Sequence, residues 1–153
     1  LLVDRLGTDF YIQAHEILDA LASRDRSDLP PDFRPCFNLI HWGTGFKIDV
    51  FVATHRPFEV AEFQRRIRAI IQTDPAQTAY VASAEDIILA KLEWYQMGGS
   101  LAQQQWRDVV SIMAIHGQEL DRAYLNMWAT RLGLDDLVDA AHAAGQPVAD
   151  EPH

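Results

Sequence analysis

The sequence predicts an α+β fold in which a small mixed sheet comes first and a helical bundle follows. Two observations point there. Short runs of β-branched and aromatic residues fill the chain up to about residue 82, and apolar residues recur at helical spacing from residue 83 onward. A third observation sets the scale: 153 residues, 48% hydrophobic and 23% charged, suit one core better than two. The expected organisation is a partial α/β region over 1–82, a helical region over 83–144 packed on it as a single unit, and a flexible tail over 145–153.

Leu1–Leu6 reads as the end of a helix stopped by Gly7. Asp9–Ile12 has strand composition, and Ala14, Ile17, Leu18 and Leu21 follow at helical spacing up to Ser23. Three prolines and two aspartates in Ser27–Pro35 make that stretch a loop. Cys36–Trp42 and Phe46–Ala53 are two strands joined by Gly43-Thr44-Gly45, a hairpin signal. With Gly43-Thr44 as the loop, His41 faces Phe46 and Asn38 faces Asp49. Leu39, His41, Ile48, Val50 and Val52 then form the core face, and Asp49 projects from the more polar side.

Pro57–Arg66 suits a short helix, and Arg68–Gln72 and Thr78–Ala82 suit two more strands. Ser83-Ala84-Glu85-Asp86 reads as an N-cap opening a helix that runs to Met97 and ends at Gly98-Gly99. Further helices are expected over 101–116, 121–131 and 134–144, the first two stopped by Gly117 and Gly133.

Charge narrows the function classes. The formal net charge is −9, of which residues 1–77 carry −2 and residues 78–153 carry −7, so general binding to duplex DNA is disfavoured. Arg65, Arg66 and Arg68 are the one arginine cluster. No run is long and apolar enough to span a membrane, and a single cysteine suits a reducing compartment, so the cytoplasm is the expected location. The six histidines lack the spacing of a helical zinc site, and no serine sits in a nucleophile elbow. Cys36, beside Pro35 at a strand start, reads as a buried inert thiol.

Three residues stand out. Asp49 lies in Phe46-Lys47-Ile48-Asp49-Val50-Phe51-Val52, a strand otherwise suited to burial. A carboxylate there is either satisfied by Asn38 or Lys47, or belongs to a site. Lys91 has Ile87, Ile88, Trp94 and Tyr95 three and four positions away, so its ammonium leaves a mainly apolar face. It either snorkels to water or holds a phosphate or carboxylate. Asp108 sits beside Arg107 and reads first as half of a solvated helical salt bridge.

The ordered blocks Phe37-Asn38-Leu39-Ile40-His41, Thr44–Phe51, Ala82–Leu92 and Gln105-Trp106-Arg107-Asp108-Val109 together resemble the small bacterial nucleotidyltransferase-like proteins. That group includes the toxin-side enzymes of abortive-infection toxin–antitoxin systems. The resemblance implies three carboxylates on a mixed sheet, two in an Asp-x-Asp pattern and a third to which Asp49 corresponds, holding divalent cations, usually magnesium. A hydroxyl then attacks the α-phosphate of a nucleoside triphosphate and pyrophosphate leaves. Lys91 matches a helical lysine, with triphosphate contact implied, and Asp108 falls in the following acidic block, with site support implied. No Asp-x-Asp follows a glycine pair in this sequence. The chain is therefore expected to be inactive as it stands, the pair lying upstream of Leu1 or lost. The competing expectation is a non-catalytic interaction module, one component of a toxin–antitoxin-like pair, acting as a homodimer or with a cognate protein partner.

Overall fold

The computed structural model describes residues 10–13, 36–53 and 56–146, and its fold is α+β. The helix expected at Leu1–Leu6, the helix after Gln13, the loop at 27–35 and most of the tail lie outside the described residues. The chain divides into two units, Leu1–Val60 and Ala61–His153.

The first unit holds an antiparallel sheet in the order β1-β2-β3, formed by β1 (Phe10–Gln13), β2 (Cys36–His41) and β3 (Lys47–Phe51). The β2–β3 register is the expected one: Asn38 faces Asp49, and the His41 amide donates to the Phe46 carbonyl at 2.9 Å. The connection is wider than two residues, because β2 ends at His41 and β3 begins at Lys47. Thr44 closes it, its Oγ1 lying 2.8 Å from His41 Nδ1 and accepting from the Phe46 amide at 3.3 Å.

Burial in β3 departs from the expectation. Leu39 is buried and Val50 half-buried, as the chosen core face requires, and Lys47, Asp49 and Phe51 on the opposite face are exposed, but Ile48, assigned to the core face, is exposed as well. The reason is position: among the described residues β3 has β2 as its single strand neighbour, so a composition suited to a covered strand occupies an edge.

Helix α1 (Pro57–Arg65) spans the division between the units. The second unit continues with a hairpin, β4 (Ile67–Thr73) and β5 (Ala76–Val81), whose register shifts between Ile70 and Gln72. Four helices follow: α2 (Ala84–Met97), α3 (Ala102–His116), α4 (Arg122–Leu132) and α5 (Asp135–Gly145). Their bounds fall within a residue or two of those read from apolar spacing, since cap and stop residues are local signals.

Packing runs α2 on α3, α2 on α4, α3 on α5 and α4 on α5. Ile88, Leu89 and Leu92 of α2 lose all contact with solvent, and Val109, Met113, Leu125, Trp128, Val138 and Ala141 complete the apolar interior. Burying each large aliphatic side chain contributes roughly 1.5–3 kcal/mol. Two glycines are needed where they stand. Gly133, at φ 69°, takes the left-handed conformation and returns its amide to Ala129 and Thr130. At Gly145 a Cβ would come within 2.9 Å of the Met113 Cβ, so a side chain there would push α5 off α3. Among the described residues no helix is long and apolar enough to cross a membrane.

Candidate functional site

Helix α2 carries two polar sites of opposite character. The first is at its N-terminus, where Ser83 takes the extended conformation of a cap and its Oγ accepts the Asp86 amide at 3.2 Å. The same hydroxyl donates to Asp86 Oδ2 at 2.7 Å, and the Tyr124 hydroxyl from α4 donates to Oδ1 at 2.6 Å. Asp86 is 0% exposed. Its charge is answered by Arg65, whose Nε lies 3.7 Å from Oδ2 and whose guanidinium carbon sits 3.7 Å from the centre of the Tyr124 ring.

Arg65 also donates to Glu85 Oε2 at 3.3 Å, and Glu85 Oε1 accepts the Asp121 amide at 2.8 Å. Asp121 in turn caps α4 by accepting from the Tyr124 amide. Burial works to raise the Glu85 carboxyl, but hydrogen bonds from the Asp121 and Glu85 amides and from Ser83, with the Arg65 charge, outweigh it and hold the group below the usual carboxylate range. The Tyr124 phenol is pushed well up, first by burial and then by its bond to the Asp86 carboxylate and that group's charge. The cluster joins the end of α1 to the starts of α2 and α4. Sequence reasoning found the Ser83 cap with its acidic residues and missed the partners, Arg65 and Tyr124.

The second site lies further along α2. Lys91 Nζ donates to Asp108 Oδ2 at 2.7 Å and to Gln105 Oε1 at 3.0 Å, both on α3. Two of the three sequence candidates therefore meet. Asp108 does not pair with Arg107 as first expected: adjacent residues on a helix point in different directions, and the carboxylate turns to Lys91. The Lys91 and Asp108 side chains are 27% and 41% exposed, so the pair is reachable from solvent. An ammonium has three N–H donors, and two are committed here. Alongside, the Tyr95 and Trp106 rings pack with centroids 5.2 Å apart.

Asp49, the third candidate, lies in the other unit. Its Oδ1 meets Lys47 Nζ at 2.9 Å, with the two side chains 47% and 53% exposed, so Lys47 is the partner that satisfies it. Cys36 lies in the neighbouring strand β2, and its thiol is raised by burial and by the charge of Asp49, against a smaller lowering from Lys47. A raised thiol is a poor nucleophile, which agrees with the inert reading. Among the described residues no three histidine, cysteine or acidic side chains gather as a metal site would require.

Comparison with known proteins gives no match: no family model, no curated protein and no solved structure resembles the chain closely enough to place it.

Proposed function

We propose that this protein is a nucleotidyltransferase-like domain with a C-terminal helical bundle, and that Lys91 contacts the phosphates of a nucleoside triphosphate. The observation that carries the reading is the Lys91–Asp108 pair, a cation fixed between two helices with one donor uncommitted and open to solvent. Asp108 and Gln105 act as positioning residues. They hold the ammonium in one place, which lowers the entropy lost when a phosphate oxygen arrives. The lysine's positive charge attracts a polyanion to a chain whose net charge of −9 would otherwise repel one.

Magnesium comes with this reading, and the described residues do not fit it. Asp49 is a lone carboxylate already paired with Lys47, whereas a hard divalent cation takes several oxygen ligands. No step is therefore routed through a metal, and the purified chain is expected to bind nucleotide without releasing pyrophosphate.

The test is calorimetric titration of ATP, GTP, CTP and UTP, each with and without magnesium chloride, into the wild-type chain and Lys91→Ala. At least one triphosphate should bind, and the substitution should weaken it about tenfold or more, as loss of a charge-assisted phosphate contact does. Binding that is absent for all four, or unchanged in Lys91→Ala, would overturn the proposal.

A further inference from the structure

The hairpin β4–β5 carries a surface that neither site on α2 uses. The Arg66 guanidinium lies between two rings, 4.1 Å from the centre of Phe63 and 4.8 Å from that of Tyr80. Arg68 stands opposite Tyr80 in the register and donates from Nε to Thr78 Oγ1 at 3.1 Å. Ile70, opposite Thr78, continues the same face. Phe63, Ile70 and Tyr80 are 65%, 69% and 64% exposed. Among the described residues neither Arg66 nor Arg68 meets a carboxylate, although the protein has 22 acidic residues against 13 basic ones.

Strand β5, Ala76-Gln77-Thr78-Ala79-Tyr80-Val81, contains neither a charge nor a proline, and among the described residues its single strand neighbour is β4. Edges that face only water are normally blunted by charge, proline or a cover. Among the described residues this edge has no second strand neighbour, and across the hairpin Arg66 and Arg68 meet no carboxylate.

We propose that the hairpin is a docking edge for an extended segment of another protein that carries acidic and apolar residues on one face, at every second position. The segment adds a strand along β5, sets its apolar side chains on Ile70 and Tyr80, and brings carboxylates to Arg66 and Arg68. Charge complementarity selects this occupant. A second copy docking through the same hairpin would set arginines against arginines and supply no carboxylate. A nucleic acid would leave Ile70 and the edge amides unmatched and meet the repulsion of a chain at −9.

The test is fluorescence anisotropy with a labelled peptide of repeating Glu-Thr-Val-Thr, which sets glutamate and valine on one face of a strand, compared with its Lys-Thr-Val-Thr counterpart and with oligouridine. The acidic peptide should bind with salt-sensitive affinity. The double substitution Arg66→Ala/Arg68→Ala should weaken it about tenfold or more, and Lys91→Ala should leave it unchanged, so this result is separable from the nucleotide proposal. N-methylation of the peptide, applied either at every threonine or at every glutamate and valine, should abolish binding in one of the two forms, because a strand pairs through alternate amides. Circular dichroism of the double variant checks that it folds. The inference fails if the acidic peptide does not bind, if the basic one binds equally, or if the arginine substitutions have no effect. Arginine-dependent binding of oligouridine would replace it with a nucleic-acid surface, and arginine-dependent dimerisation with a self-associating one.

Discussion

Helix α2 presents two acidic–basic clusters five residues apart in sequence, and they solve opposite problems. At Asp86 the carboxylate itself is enclosed: two hydroxyls and the Arg65 guanidinium converge on a group with no access to water. At Lys91 the partners are as close, yet the ammonium is partly open and keeps a donor in reserve. A network built round an enclosed carboxylate holds elements together and offers little to a ligand, whereas a half-open pair contributes little to stability and is available for recognition. Short distances alone do not separate the two roles; exposure and donor count do.

That contrast is sharpest under substitution. Asp86→Ala removes the hub of the enclosed cluster, taking the acceptor from the Ser83 and Tyr124 hydroxyls and the buried counter-charge from Arg65. A loss of about 3–5 kcal/mol is expected from urea unfolding, enough to unfold a marginal domain. Tyr124→Phe deletes one donor to the buried carboxylate and keeps the ring under Arg65, so about 1–3 kcal/mol should be lost. If Tyr124→Phe were neutral, the enclosed cluster would not be the structural joint described here.

Acid sharpens the comparison further. Glu85 is held below the usual carboxylate range in the folded chain, so its contribution to stability is present above the unfolded-state pKa and is lost as pH falls through the folded value. The wild type should lose stability below about pH 4.3, the ordinary glutamate value, and Glu85→Gln should flatten that part of a thermal-melt pH profile. Tyr124 gives the mirror image: its raised phenol adds stability that is complete below the usual tyrosine range and is lost only in strong alkali. The smallest stability effect is expected at the open pair. Lys91→Ala should cost under about 1 kcal/mol, because an ion pair this exposed is screened. A cost of several kcal/mol would make Lys91 a structural residue and remove the ground for assigning it to nucleotide.

The helical half was largely legible because its signals are local. Ser83 announced the cap, the glycines announced the stops, and apolar spacing set the lengths. The Asn38–Asp49 register was legible for the same reason, since a short turn carries it. The Lys91–Asp108 pairing left a trace that went unused: the two residues lie equally far from the Gly99-Ser100 step, where two antiparallel helices bring such positions face to face. Tyr95 and Trp106 straddle the same connection. No comparable trace exists for Asp86 with Tyr124 or Arg65, which are 38 and 21 positions apart and separated by whole elements.

The sequence by itself determined, to within a residue or two, where each described helix and strand lies and that Ser83 caps α2, because these follow from bonds and spacings within a few residues. The tertiary structure decided that β3 lies at an edge, that Asp108 answers Lys91 and not Arg107, and that Arg65 closes the Asp86 cluster. Burial and pairing between distant residues depend on how whole elements pack, and packing is a property of the assembled surfaces that no short window of residues contains.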